Sequence, residues 1–214
     1  VLEKKHPPII KFIKDLLDQY PPASDDEELN RLTDELLWEI ADLIMYNRDP
    51  DVFDAKAELE AWVIEEITSI VPLENKVVID AGAGTGKIAF QAAEIAKTVF
   101  AVEPVSSLRR YIRKKAVEKG VENIYAIDGV LQAIPFPNDF TDVLLTCRAI
   151  GWNLEEELKE VERVVKPGGF IVHVPMYPDI DDPLYTTLTS SKWQYKCSNL
   201  DAGGSNSRKY WKQI

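Results

Sequence analysis

The chain has 214 residues and a formal net charge of −11. Its length corresponds to one domain with an elaboration, since domains usually span about 100 to 200 residues. With 45% hydrophobic residues and average Pro and Gly usage, neither disorder, collagen nor a repeat array is expected. The negative charge argues against a nucleic-acid partner, because nonspecific binding of a phosphate backbone needs clustered Lys and Arg.

Cysteine usage favours a reducing, cytoplasmic setting. The two cysteines, Cys147 and Cys197, lie in strand-like runs far from any second metal ligand, so neither a disulfide framework nor a metal site is expected. No stretch approaches the roughly 18 apolar residues of a membrane span. Residues 1–30 lack a signal-peptide pattern, although a start at Val1 leaves a preceding leader open. We expect a cytoplasmic protein without a membrane partner.

Residues 1–72 carry helical periodicity and no strand pattern. Apolar residues recur three and four positions apart in the stretches 9–20, 29–44 and 59–70, and a proline follows each stretch. We expect these residues to form a helical cap or lid, followed by the main domain over residues 73–214.

From Lys76 onward, short β-branched runs alternate with helical stretches, which is typical of a parallel sheet with crossover helices. The predicted strands are 76–80, 98–102, 123–126, 141–146 and 169–174. The predicted helices begin at about Lys87, Val105 and Leu154. Two strand-like runs, 192–197 and 208–213, are separated by residues rich in Gly, Ser and Asn. They predict an antiparallel hairpin that closes the sheet.

One basic cluster lies in the helix that begins at about Val105. Arg109-Arg110 and Arg113-Lys114-Lys115 repeat at helical spacing. Because such a run usually forms a solvated helix face, we interpret it as surface charge rather than as a binding site.

The segment Asp80-Ala81-Gly82-Ala83-Gly84-Thr85-Gly86 carries the strongest chemical signal. A buried strand leads into three glycines at alternate positions, and a helix follows directly from Lys87. Glycine suits this turn because the backbone angles are closed to other residues and because a ligand has to approach the chain itself. Exposed N–H groups and a helix N-terminus then favour a negative group. The loop therefore predicts a site for an anionic part of a cofactor.

Glu103 ends the next strand, about twenty residues beyond the glycine loop. A carboxylate in this place can accept hydrogen bonds from both ribose hydroxyls of a nucleotide-like cofactor, and it repels a 2′-phosphate. The alternative interpretation is an exposed strand end without a ligand.

Three cofactor types use glycine-rich loops, and spacing separates them. The dinucleotide fingerprint G-x-G-x-x-G fails because Gly86 comes two residues past Gly84 and Lys87 holds the third glycine's place. The P-loop fails because Ala81 stands where its first glycine is needed and Ile88 where Ser or Thr is needed. S-adenosylmethionine remains the better fit, with its amino acid carboxylate as the negative group.

At this point the sequence resembles the class I S-adenosylmethionine-dependent methyltransferases, particularly the group with ubiquinone and small-metabolite enzymes. The resemblance covers about half of the chain, residues 75–175, and rests on four motifs in the family's order. They are Asp80 to Gly86, Ala101-Val102-Glu103-Pro104, Ile127-Asp128-Gly129 with Ile134-Pro135-Phe136, and Val164-Val165-Lys166-Pro167-Gly168-Gly169, which is similar to the L-K-P-G-G turn before the fifth strand.

The resemblance implies an α/β fold, with a Rossmann-like, seven-stranded, mostly parallel sheet of order 3-2-1-4-5-7-6, helices on both faces and an antiparallel C-terminal hairpin. The cofactor would lie across the carboxyl ends of the strands. The implied cofactor-binding residues are Asp80, Gly82, Gly84, Gly86, Glu103, Asp128, Gly129 and Leu131. Asp80 would support the methionine end, and Asp128 would contact the adenine amino group. S-adenosylhomocysteine would be the product.

The methyl acceptor is less defined. Methyl transfer is an in-line displacement at an activated carbon, so the protein mainly positions a nucleophile and excludes water. In such a fold the ends of the fourth and fifth strands face the acceptor, and they supply Arg148 and Tyr177 as candidates. Arg148 either binds an acid group or forms a surface salt bridge. His173 lies inside the fifth strand and is expected to be buried rather than catalytic.

The sequence thus predicts an S-adenosylmethionine-dependent methyltransferase that acts on a small molecule, with a protein as the second choice of acceptor. A non-catalytic adenosylmethionine-binding scaffold or partner subunit is the alternative, and a nucleotide-dependent oxidoreductase is a third interpretation. The acceptor atom, the presence of a general base and the oligomeric state are left open by the sequence.

Overall fold

The structure is a computed structural model. It describes residues 25–26, 28–29, 31, 46–56, 64–151, 153–174, 183–199 and 206–214. The predicted helices over residues 9–20 and most of 29–44 therefore lie outside the described residues.

The chain divides into two compact units, residues 1–46 and residues 47–214. This division falls earlier in the chain than residue 72, because the described residues between 47 and 72 belong with the larger unit. The prediction that residues 1–72 form one helical cap stays a prediction. No helix among the described residues combines the length and the apolar character needed to cross a membrane.

The described part of the second unit contains six named helices and seven strands. The helices are α1 (Pro50–Lys56), α2 (Glu65–Thr68), α3 (Lys87–Ala93), α4 (Ser106–Lys119), α5 (Leu154–Val164) and α6 (Pro183–Ser190). The strands are β1 (Val77–Ala81), β2 (Thr98–Val102), β3 (Ile124–Ile127), β4 (Thr141–Cys147), β5 (Val165–Val174), β6 (Gln194–Asn199) and β7 (Asn206–Gln213). All seven predicted strands are present.

The seven strands form one sheet of order β3-β2-β1-β4-β5-β7-β6, which confirms the implied topology. The first five strands are parallel, and α3, α4 and α5 lie in the crossovers between them. β7 pairs antiparallel with both β5 and β6, which confirms the predicted hairpin. The strand order reverses between β1 and β4, and in open α/β sheets a ligand binds at the carboxyl ends of the strands beside such a reversal.

Apolar side chains on the two faces of the sheet form two cores. The neighbours Val78 and Ile79 on β1 belong to different clusters, because successive side chains of a strand point to opposite faces. α2, α3 and α4 cover the first face, and α5 and α6 cover the second. Each fully buried Leu or Ile side chain contributes about 1.5 to 3 kcal/mol to this packing. The carboxyl ends of β1, β2 and β4 are thereby held at fixed positions.

Two parts of the predicted fold need correction. The Lys166-Pro167-Gly168-Gly169 turn does not precede the fifth strand. It lies inside β5, where the register with β4 shifts between Thr141 and Val143. α6 was not predicted, because its threonines are weak helix formers and its sequence lacks a clear apolar stripe. Burial of Leu188 in the second core supports this helix instead.

Candidate cofactor site and active site

The glycine loop turns sharply at the carboxyl end of β1. Gly82, Gly84 and Gly86 have φ angles of 79°, 58° and 80°, in the left-handed region that favours glycine. A Cβ at Gly82 would also overlap the Cβ of Ala149, which follows β4. Two strand ends therefore approach each other through a position that only glycine can fill.

Asp80 is a buried carboxylate directly before the loop, with 1% of its surface exposed. Burial raises the pKa of Asp80 to about 7; a hydrogen bond with the backbone of Ala89 opposes that rise, and the nearby Glu103 carboxylate adds to it. The oxygen Oδ2 has no hydrogen-bond partner. An orphaned buried acceptor is costly unless a ligand or water satisfies it, so this oxygen marks a place where a donor group belongs.

Glu103 is buried at the carboxyl end of β2. Its Oε2 accepts the backbone N–H of Gly84 at 2.9 Å, and its Oε1 accepts that of Val105 at 2.8 Å. Burial raises its pKa, and these two hydrogen bonds oppose the rise. The carboxylate thus connects the end of β2 to the glycine loop. Each oxygen keeps acceptor capacity for one further donor, as a ribose diol requires.

Asp128 follows β3 with 73% of its side chain exposed, and Arg109 of α4 holds it in place. Arg109 Nη1 lies 2.9 Å from Asp128 Oδ1 and 2.7 Å from the carbonyl oxygens of Glu103 and Pro104. Only 12% of the Arg109 side chain is exposed, so interpreting the whole basic cluster as solvated is wrong at this position. The sequence signal that could have revealed this is the position of Arg109 in the first turn of α4, soon after Glu103. A side chain in that turn points back toward the strand ends.

Gly129 and Leu131 complete the segment after β3. A Cβ at Gly129 would lie 2.7 Å from Pro135 Cδ and 2.9 Å from Val102 Cγ1, so glycine is needed here for internal packing. Leu131 is buried, and its Cδ1 lies 3.5 Å from the place that a Cβ on Gly82 would take. This contact brings the loop after β3 against the glycine loop.

The acceptor-side candidates lie beyond β4 and β5. Arg148 follows β4 in an exposed position with a φ of 52°, which for a residue with a side chain costs about 1 to 3 kcal/mol and is frequent at functional sites. Its backbone N–H donates to the carbonyl of Val174 at 3.3 Å, which joins the ends of β4 and β5. Tyr177 lies outside the described residues.

His173 is fully buried, as predicted. Its Nδ1 lies 2.6 Å from Thr146 Oγ1, and burial lowers its pKa to about 4. A neutral, enclosed imidazole in the second core has no access to a substrate, so we assign it a structural role. Among the described residues, no group of three His, Cys, Asp or Glu side chains is arranged to hold a metal ion.

Glu157 is a buried carboxylate at the loops after β3 and β4 that sequence reasoning missed. It lies in the first turn of α5 with 1% of its surface exposed. Its carboxylate accepts hydrogen bonds from the loops after β3 and β4, at Gln132, Gly151 and Asn153. The available signal was helical spacing, because position 157 lies one turn before the buried Val161 on the same face.

These residues fit S-adenosylmethionine. The unpartnered Asp80 oxygen suits the ammonium of the methionine end, and Glu103 suits a ribose diol. The N–H groups of Gly82, Ala83, Gly84 and Gly86 already donate to acceptors within the protein, so the start of α3 is the part of this turn that suits a carboxylate. The fit rests on donor and acceptor chemistry at the neighbouring ends of β1 and β2.

A 3-2-1-4-5-7-6 sheet with a glycine loop after β1 and a buried carboxylate after β2 defines the class I methyltransferase fold. Residues 79–173 match the model of the family described as a methyltransferase domain. Residues 79–173 therefore form a domain of the class I S-adenosylmethionine-dependent methyltransferases.

Individual relatives agree with this assignment. An uncharacterized methyltransferase of Bacillus subtilis, YcgJ, is 31% identical over 110 residues, which cover 50% of this chain and 43% of that protein. A cypemycin N-terminal methyltransferase of a Streptomyces species is 30% identical over 141 residues, or 64% of this chain and 53% of that protein. A solved SAM-dependent methyltransferase from Aquifex aeolicus has the same fold, with a TM-score of 0.62, 17% identity and coverage of 77% and 96%. The chain thus spans about half the length of the curated relatives it matches.

Proposed function

We propose that this chain is an S-adenosylmethionine-dependent methyltransferase whose acceptor is a small molecule. The observation that supports the proposal best is the unpartnered, buried Oδ2 of Asp80 beside the glycine loop and Glu103. The neighbouring ends of β1 and β2 there present two buried carboxyl groups beside the start of α3. A zwitterionic, nucleoside-containing cation matches that arrangement.

In this proposal each cofactor-binding residue has a distinct role. Asp80 accepts from the methionine ammonium, and Glu103 accepts from the ribose hydroxyls while still holding Gly84. Asp128, aligned by Arg109, accepts from the adenine amino group. Gly82, Gly86, Gly129 and Leu131 shape the walls. The bound cofactor supplies a methyl carbon activated by its sulfonium, so positioning the acceptor is the main task of the protein.

Nucleic acid is disfavoured as the acceptor because Arg109, Arg113 and Lys115 of the basic cluster on α4 make contacts within the fold. Arg113 donates to the carbonyl of Ala126 at 2.8 Å, and Lys115 lies 2.6 Å from Asp54. Neither cation is arranged for a phosphate backbone. We assign Arg148 and Tyr177 to the acceptor side, where the guanidinium of Arg148 would bind an acid group of the substrate.

Contacts of α1 support a capping role for the segment before β1. Tyr111 OH and Lys115 Nζ both donate to Asp54 Oδ2, at 2.9 Å and 2.6 Å, and Lys87 Nζ donates to the Asp54 carbonyl at 3.4 Å. Because Lys87 is the first residue of α3, directly after the glycine loop, α1 lies beside the start of α3. We propose that the segment that contains α1 closes over the cofactor.

A reducing compartment such as the cytoplasm suits the two cysteines. Cys147 is a free thiol in the described structure. Unpaired cysteines are typical of proteins kept under reducing conditions.

Calorimetry with S-adenosylmethionine and S-adenosylhomocysteine tests the donor side. We expect both to bind, with an affinity at least about tenfold weaker in Glu103→Ala, since a charged acceptor contributes about 1.5 to 3 kcal/mol per hydrogen bond. Glu122→Ala, at an exposed position before β3, is the matched control and should bind as the wild type does. If neither compound gives heat with the folded wild type, the proposed function is wrong.

The acceptor side is tested by supplying methyl-labelled cofactor with small carboxylic acids, small amines and short peptides. We expect transfer to small carboxylic acids, and loss of most of that transfer in Arg148→Met while cofactor affinity stays unchanged. Transfer to peptides alone would replace the small-molecule proposal. Tight cofactor binding without any methylated product would favour the non-catalytic scaffold.

A further inference from the structure

Glu157 is a buried carboxylate that three neutral N–H donors satisfy. Gly151 N donates to Oε2 at 2.7 Å, and Asn153 N and Gln132 Nε2 donate to Oε1 at 3.0 Å and 2.8 Å. A buried charge is costly unless it is fully hydrogen-bonded, so this position needs a reason beyond packing. An apolar residue would satisfy the buried face of α5 at lower cost.

The donors belong to two different loops at the carboxyl edge of the sheet. Gln132 lies in the loop after β3, residues 128–140, and Gly151 and Asn153 lie in the loop after β4, residues 148–153. Two other α5 side chains, Glu160 and Arg163, form an ion pair with each other and, of the two loops, reach only the loop after β3 in the contacts that the described residues show. Glu160 accepts Ile134 N at 2.8 Å. Arg163 donates to the carbonyls of Ile134 and Phe136 and to Asn138 Oδ1. Glu157 holds both loops.

Both loops converge on the same glycine. Ala149, from the loop after β4, fills the space that a Cβ at Gly82 would need, and Leu131, from the loop after β3, lies 3.5 Å from that point. The spacing of the two loops therefore decides how Gly82 is enclosed on two sides. A carboxylate that fixes this spacing acts on the glycine loop without contacting it.

We propose that Glu157 is a positioning residue for methyl transfer, which joins the loop after β3, on the proposed adenine side, to the loop after β4, on the proposed acceptor side, and so sets how the two loops enclose Gly82. The proposal rests on the proposed function of the site at Gly82. A carboxylate is required because two oxygens accept three N–H groups, whereas glutamine would turn its own N–H₂ toward one of the donors.

The competing explanation is a simple helix cap. Glu155 and Glu156 lie in the same first turn and favour the helix N-terminus equally well. Glu156 accepts from Asn153 Nδ2 at 2.7 Å in an exposed position and reaches neither Gly151 nor Gln132 in the contacts shown by the described residues. Glu156→Gln is therefore the matched control, because it removes one carboxylate from the same turn while both loops stay joined.

The experiment compares Glu157→Gln, Gln132→Met, the double variant and Glu156→Gln. S-adenosylhomocysteine affinity is measured by calorimetry well below each melting temperature, and amide hydrogen exchange is measured on the ligand-free proteins. We expect Glu157→Gln to weaken binding about tenfold and Gln132→Met about threefold. The double variant should lose less affinity than the product of these two factors, because both substitutions break the same connection between the loops. Exchange should accelerate in residues 148–153 for Glu157→Gln, and not in β1 or β4.

Wild-type affinity in folded Glu157→Gln and Gln132→Met, or equal losses in Glu157→Gln and Glu156→Gln, would overturn the proposal. If Glu157→Gln does not fold, Gln132→Met decides the question, because it breaks the link between the loops and leaves Glu157 on Gly151 and Asn153. If the wild type itself does not bind S-adenosylhomocysteine, the proposed function fails. Exchange on the ligand-free variants then decides by itself whether Glu157 couples the loops.

Discussion

Arg109 Nη1 lies 2.9 Å from Asp128 Oδ1, so a side chain of α4 orients the carboxylate that follows β3. The same nitrogen approaches the carbonyls of Glu103 and Pro104, at the end of β2. One guanidinium therefore bridges the two strand ends that face the ribose and the adenine in the proposed complex. Its role is positional, because its own side chain is mostly buried.

Arg109→Met should weaken binding of S-adenosylhomocysteine about three- to tenfold. The expected loss comes from the ion pair with the mostly exposed Asp128, which contributes about 1 kcal/mol or less, because the hydrogen bonds to the two carbonyls mainly stabilise the fold. Calorimetry measures the change. Arg110→Met is the control, since Arg110 is exposed and reaches only Ser106 Oγ in the contacts that the described residues show. Equal affinity in both variants would remove Arg109 from the site.

Gly82→Ala should destabilise the protein and abolish cofactor binding. The new Cβ meets Ala149, and the φ of 79° is unfavourable for alanine. Gly120→Ala separates the two effects, because Gly120 has a φ of 64° but nothing within 4 Å of an added Cβ. Urea unfolding should give a loss of about 1 kcal/mol for Gly120→Ala and about 2 to 4 kcal/mol for Gly82→Ala. Similar losses of unfolding free energy in the two variants would show that Ala149 can move away from the new Cβ without destabilising the protein.

Asp80 should make the free energy of unfolding depend on pH. Its pKa is about 7 in the folded protein against 3.8 when exposed, so between these values the folded state holds a proton that the unfolded chain has released. Stability from this group is therefore present below about pH 4 and is lost as the pH rises to about 7, by about 4 kcal/mol in total. Relative to Asp80→Asn, the wild type should become less stable from about pH 4 to about pH 7. A constant difference in urea unfolding would contradict the raised pKa.

Cofactor binding should release protons from the same carboxyl group. A bound ammonium beside the Asp80 oxygen favours the carboxylate and lowers its pKa, so below about pH 7 binding of S-adenosylhomocysteine displaces a proton into the buffer. Calorimetry in two buffers with different ionisation enthalpies measures that proton. Asp80→Asn should retain weaker binding without buffer dependence. Buffer-independent heats in the wild type at about pH 6 would mean that Asp80 is already ionised.

Most of the strand pattern was predictable because β-branched runs and turn residues are local signals. The glycines at 82, 84 and 86 and the carboxylate of Glu103 were identified from spacing, whereas the resemblance to the family supplied Asp128 and the role of Asp80. α6 was not predictable, since its helical state depends on burial of Leu188 in a core built by distant residues. The turn at Lys166 was recognised, but its inclusion in β5 depends on pairing with β4.

The sequence by itself determined the elements of the proposed cofactor site: a strand, a glycine loop and a helix in direct succession, and a carboxylate one strand later. Those features are local, because backbone angles and short spacings dictate them. Tertiary structure decided which side chains from other elements support that site. Glu157 is 25 residues from Gln132, and Arg109 reaches Asp128 from another element. Such contacts depend on how a helix packs against the sheet, and no pattern along the chain encodes that distance.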